Sequence, residues 1–385
     1  MALIIEGGTS VKAKRYIRQV GLLLSLALLL TIGVARLNAQ ELSSLSAQTD
    51  TSTIQPPQPV GAAARAAVAP HVWTAAEMKA AIPYPVKSPA QAPTANQAQP
   101  ALGSSKPQII AGQAAENEAK ANSVSSDGST DAMADPEVAA LANGPTTLGY
   151  SYPYPFTRYE VFTAYNANPY NKIGKLFFKQ GGLSYVCSAS SIGNRGIITA
   201  GHCIHAGNNS ASSWSTNVVF VPAYKDGAAP YGQWACDYVT ETVFTAWYQS
   251  HSFNRDVAGC KTINQSGKTL SAKVGSLGFA WNFGNDVHWF AFGYPAASPF
   301  TGNRLITCAA SRATWDMTNV SPATQGVGCD MTGGSSGGPW VLAFSGSGGY
   351  VNGVNSYKYT TQSGGMFSPY FDDVVKTAIY DNITK

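Results

Sequence analysis

Charge is scarce in this 385-residue sequence: Asp, Glu, Lys and Arg together make up 12% of it, and the formal net charge is only +4. No stretch is basic enough to track a phosphate backbone, so nucleic acid is set aside as a partner. Histidine is scarce as well, with five in the chain, and there is neither a Cys-x-x-Cys pair nor a His cluster. The usual spacings of a metal site are therefore missing, and neither metal nor cofactor is expected. Helical periodicity is nearly absent before 369–380, which argues against a helical protein. No cysteine lies outside 187–329, where all six are found. That even count favours disulfides over free thiols in an exported chain, with fifteen pairings open to the sequence alone.

The N-terminal third supplies targeting and spacing rather than a core. Lys12, Lys14, Arg15 and Arg18 precede the uncharged run 20–35, and Ala39 ends a plausible cleavage site before Gln40, so residues 1–39 read as an export signal. The run is shorter than the ~20 residues that cross a bilayer, which favours a cleaved signal and no stable membrane span afterwards. The long charged lead-in leaves an uncleaved anchor as the alternative. Residues 40–145 are rich in Ala, Gln, Ser, Thr and Pro. Such a composition offers too little apolar area to offset the entropy of folding, so this segment reads as a pro-region, or as a linker. Two stretches stand out within it: 72–84, which carries Trp73, Met78, Ile82 and Tyr84, and 136–142, which has the pattern of a helical turn.

Folded-domain composition begins at 146 and continues to 385. Ile173–Phe178 reads as a strand closed by Gly181-Gly182. Tyr185–Ser191 and Gly196–Thr199 read as a hairpin turned at Gly193-Asn194, and 290–295 and 303–309 read as later strands. Short strands punctuated by Gly, Asn and Pro predict an all-β barrel architecture. A C-terminal helix is expected from Phe371, Val374, Val375, Ala378 and Ile379 at helical spacing.

The chemistry centres on Cys329-Asp330-Met331-Thr332-Gly333-Gly334-Ser335-Ser336-Gly337-Gly338-Pro339-Trp340. A Gly/Ser run alone is an ordinary flexible turn. Two upstream motifs change its meaning: Thr199-Ala200-Gly201-His202-Cys203, directly after a strand, and Asp256-Val257-Ala258. A base, a carboxylate and a glycine-flanked serine then follow in the order His, Asp, Ser. In these motifs the chain resembles the trypsin-like serine peptidases, and particularly their secreted bacterial branch that includes the glutamyl endopeptidases. Gly293-Tyr294-Pro295 is similar to a tripeptide of that branch.

The resemblance spans about 170–385 and implies two six-stranded antiparallel barrels with the site between them and a C-terminal helix. It implies Ser336 as nucleophile, His202 as general base and Asp256 as the carboxylate that orients it. The N–H groups of Gly334 and Ser336 would form the oxyanion hole. Asp286, which also precedes a Val, is then a turn residue. The resemblance also implies a Cys187–Cys203 disulfide, with Cys236–Cys260 and Cys308–Cys329 proposed for the rest. A substrate pocket would be built from Asp330, Asn355, Ser356, Tyr357 and Lys358.

The chain also departs from the family pattern. Ser335 stands where many trypsin-like enzymes carry an Asp that receives the freed N-terminal ammonium on activation. A hydroxyl cannot anchor an ammonium as a carboxylate does, which points to a pro-region that covers the cleft instead. Asp330 suits Lys or Arg specificity, whereas Lys358 and the Gly-Tyr-Pro context suit acidic or broad preference, toward which the reading leans. The expected activity is that of a secreted, monomeric serine endopeptidase acting on polypeptides. Two alternatives are an inactive binding module on the same scaffold and another acyl hydrolase. The order Ser, Asp, His of the α/β-hydrolases is not the order found here.

Overall fold

A computed structural model describes residues 54–55, 70–85, 105–121, 150–284, 287–316, 318 and 321–385. Residues 1–39, the helical turn at 136–142 and Asp286 lie outside the described residues. The chain divides into two units, Met1–Asp50 and Thr51–Lys385, and the described residues all belong to the second.

The described residues form two nine-stranded sheets, with strands numbered in chain order. The first runs β1 (Ile54–Gln55), β10 (Thr242–Phe244), β11 (Ala258–Lys261), β7 (Gly196–Thr199), β6 (Leu183–Ile192), β5 (Ile173–Gln180), β8 (Thr216–Pro222) and β9 (Trp234–Ala235), with β2 (Ile82–Pro83) added to β6. The second runs β18 (Gly365–Ser368), β15 (Thr324–Gly328), β14 (Ile306–Asp316), β13 (His288–Gly293), β16 (Pro339–Ser345), β17 (Gly348–Val354), β12 (Gly278–Trp281) and β3 (Gln108–Ile110), with β4 (Thr157–Glu160) added to β14. Pairing is antiparallel except for β2 with β6 and β12 with β17. This is the all-β, two-barrel architecture with a C-terminal helix. The strands β1, β2 and β3 extend it from residues before 146.

Large apolar side chains hold the sheets. Phe177, Val186, Phe220 and Ile198 are fully buried in the first, and Trp289, Trp340, Cys308 and Met366 are buried in the second. Each large apolar side chain so buried contributes about 1.5–3 kcal/mol. The disulfides join Cys187 to Cys203, Cys236 to Cys260 and Cys308 to Cys329. At the C-terminus an α-turn at Asp373–Val375, a π-turn at Lys376–Tyr380 and an α-turn at Asp381–Thr384 follow one another. They start later than the periodicity from 369 suggests, because the Asp372 side chain accepts from the Val375 N–H and caps the first turn. Val375, Ile379 and Ile383, four residues apart, are the buried stripe.

Candidate active site

β7 ends at Thr199, and the chain then enters the short helical turn Gly201–Cys203, which carries His202. The Cys187–Cys203 bridge ties that turn to β6. Asp256 follows a second such turn, Phe253–Arg255, just ahead of β11, which pairs with β7. Strand pairing therefore brings together two residues 54 positions apart. The Asp256 Oδ2 lies 2.8 Å from His202 Nδ1, and its Oδ1 accepts the His202 backbone N–H at 2.8 Å. Ser356, just beyond β17, donates its hydroxyl to the same Oδ2 at 2.5 Å.

Both His202 and Asp256 are fully buried. Burial alone would raise the Asp256 carboxyl. The neighbouring His202 charge, the bonds from the His202 ring, the Ser356 hydroxyl and the His202 backbone N–H outweigh it and hold the group below the usual carboxylate range. A carboxylate on Nδ1 puts the proton there in the neutral ring and leaves Nε2 as the basic nitrogen. That Nε2 is buried without a hydrogen-bond partner among the described residues.

Ser336 sits in the turn before β16, between Gly334 at φ +96° and Gly337 at φ +77°. Both angles are in the region that side chains with a Cβ avoid, so the sharp turn requires glycine on either side of the serine pair. The loop is fastened from both sheets. Ser188 on β6 donates its N–H to the Ser336 carbonyl at 2.7 Å, and its hydroxyl donates to the Gly334 carbonyl at 2.9 Å. Gly337 donates to the Asn355 carbonyl, and Asn355 returns a bond to that of Gly338. Among the described residues no acceptor takes the N–H of Gly334 or Ser336. Ser335 is turned inward, its hydroxyl bonded to the Thr332 carbonyl at 2.8 Å.

The pocket residues separate into distinct environments. Ser336, Ser356, Tyr357 and Lys358 line a cleft of about 260 Å³, together with Thr332, Gly333 and Met366. Asp330 does not line it. Its carboxylate is paired with Arg158 at 2.5 Å. Asn355 is also absent from the lining: its Nδ2 donates to the carbonyls of Phe292 and Ser335, and its Oδ1 accepts from the Trp340 indole. It is a strut under the serine loop rather than a substrate contact. The Ser356 side chain is spent on Asp256, and the Tyr357 hydroxyl lies 2.5 Å from both Asp316 and Thr324 behind the cleft. Lys358 donates to the Met331 carbonyl at 3.0 Å. Burial draws its ammonium down to about 8, against the opposing effect of Asp330.

Three groups at the site had no sequence signal: Ser188, Asp316 and the Arg158 that occupies Asp330. Each acts across more than a hundred residues of chain or from a separate strand. The close grouping of His202 with Cys187 and Cys203 offers no thiolate, since both sulfurs are in the disulfide.

No family model matches the chain, and no curated relative matches it. Among solved structures it is similar to the protease Anisep from Arthrobacter nicotinovorans, at 40% identity and a TM-score of 0.51, over 56% of this chain and 96% of that one. It is also similar to AL20, a thermostable serine protease from an extremophilic microorganism, at 36% identity and a TM-score of 0.51, over 56% of this chain and 98% of that one. Matched across nearly the whole length of both proteases, the chain belongs to the trypsin-like serine proteases.

Proposed function

We propose that this protease is an exported endopeptidase that hydrolyses peptide bonds through an acyl-enzyme formed on Ser336. The observation that carries the reading is the buried Asp256–His202 pair at 2.8 Å, which leaves Nε2 as the basic nitrogen, buried and without a hydrogen-bond partner among the described residues. In this scheme Ser336 Oγ attacks the carbonyl carbon as its proton passes to Nε2. The N–H groups of Gly334 and Ser336 receive the oxyanion. The imidazolium then protonates the leaving amine, and water repeats the sequence to release the acid.

A fluorophosphonate label followed by peptide mapping tests the assignment. Label is expected on Ser336, and Ser336→Ala should fold normally while losing about four or more orders of magnitude in rate. Ser335→Ala should be far milder, since its hydroxyl bonds within the loop. Equal activity of Ser336→Ala and the unaltered protein would sink the scheme.

Three disulfides support an extracellular setting. Loss of 1–39 on export and an active form starting between about 130 and 172 complete the reading, since the strands that build the site begin at β5. N-terminal sequencing of active secreted material checks both. Full activity in a form that still begins at Gln40 would overturn the pro-region.

A further inference from the structure

The helix Ala75–Ala80 opens with a reciprocal cap between Thr74 and Glu77, so a short segment with little core of its own has a defined start. It is then fastened to the first sheet. Trp73 is 1% exposed; its indole donates to the Asn217 carbonyl at 3.0 Å and its ring lies 5.5 Å from that of Phe177. Gln233 clamps its backbone on both sides, accepting from the Trp73 N–H at 2.9 Å and donating to its carbonyl at 2.7 Å. Met78 is buried alongside.

The chain next runs into the cleft. β2 pairs with the β6 edge, Ile82 opposite Tyr185 and Pro83 opposite Val186. Pro83, Tyr84 and Pro85 line the same cleft as Ser336, Ser356 and Lys358. The Tyr84 ring stacks on His202, with 5.7 Å between centroids and 20° between planes. A Cβ built on Gly333 would meet that of Pro83 at 3.0 Å, so the two segments are in contact beside the serine.

From this arrangement, and resting on the peptidase reading above, we infer that residues 70–85 are an inhibitory plug: Trp73 anchors it on the first sheet and Tyr84 blocks the approach of a substrate to His202 and Ser336. The plug is suited to survive in a protease cleft. Of the three bonds from Ile82 to Pro85, two are prolyl, without the N–H that a strand-paired substrate offers.

The full-length chain tests this through the rate at which a fluorophosphonate labels the uncleaved band on a gel. Intact Trp73→Ala and Tyr84→Ala should label faster than the intact unaltered chain by about tenfold or more, as expected when an aromatic anchor is removed. Processed forms of all three should label alike, since they no longer carry either residue. Labelling of the intact unaltered chain as fast as its processed form would overturn the plug. Hydrogen exchange at the Ile82 and Tyr84 amides in the Ser336→Ala chain separates the two readings, with protection expected there and lost on Trp73→Ala. Protection at these amides with no form labelled would refute the serine nucleophile, and the inhibitory role with it, while leaving the docking. Slow labelling of the intact chain with these amides unprotected would refute the plug alone.

Discussion

Lys358 is better placed than Asp330 to influence substrate choice. The Asp330 carboxylate is committed to Arg158 outside the cleft, whereas Lys358 lines the cleft with an ammonium that burial brings down to about 8. Below that pH it carries a poorly solvated charge that an acidic side chain would satisfy. Cleavage of a peptide library at pH 7 should therefore favour acidic residues. Lys358→Met should reduce that preference by about tenfold or more, the worth of a hydrogen bond to a charged group. The preference should also fade as pH rises through about 8, where the lysine loses its proton. Strict cleavage after Arg and Lys, lost on Asp330→Ala, is the contrary result. At this scale the motifs around His202 and Ser336 have a local composition that marks them, whereas Asp256 was preferred to Asp286 only through the family resemblance. The side chains of 355–357 were not. Just beyond β17 the three side chains diverge, Asn355 under the serine loop, Ser356 to Asp256 and Tyr357 to Asp316, and only the partners distinguish them.

Among the elements, the C-terminal helix is tied directly to the turn that presents Asp256. Arg255 is 1% exposed and makes a two-pronged bond to Asp372, with Nη1 at 3.1 Å from Oδ1 and Nη2 at 2.9 Å from Oδ2. The same carboxylate caps the helix. Asp372→Ala would strip a buried guanidinium of this partner and remove the cap at once, a cost of about 3–5 kcal/mol. Urea unfolding on the Ser336→Ala background reads it; a loss below about 1 kcal/mol, the worth of a surface pair, would refute the coupling. The helix was visible as an apolar stripe, and the hairpin β6–β7 as two runs around Gly193-Asn194. The strand β3 was not visible. Gln108, Ile109 and Ile110 form no pattern of their own, and they become a strand only against Trp281, Ala280 and Phe279 of β12.

For the whole molecule, the buried lysines and tyrosines set opposite slopes in stability against pH. Burial lowers Lys175 and Lys358 to about 8, below the ~10.4 of an unfolded lysine. Between these values the unfolded chain binds more protons than the folded one, so stability rises with pH through that interval. Tyrosine acts in the other direction. Burial pushes Tyr84, Tyr154 and Tyr159 up to about 12, and raises Tyr294, Tyr357, Tyr359 and Tyr370 further. Above ~10 the unfolded chain sheds phenolic protons that the folded chain keeps, and stability falls. All six cysteines are in disulfides, so no thiol titrates near pH 8.5 to blur the rise. The tyrosines outnumber the lysines that burial lowers, Lys172 included, which makes the fall steeper than the rise. Urea midpoints of the Ser336→Ala chain, taken at intervals from pH 7 to 11, should therefore climb to a maximum between about 9 and 10 and then drop sharply. A midpoint that declines steadily from pH 7, with no rise, would mean that the two lysines keep ordinary protonation in the folded state.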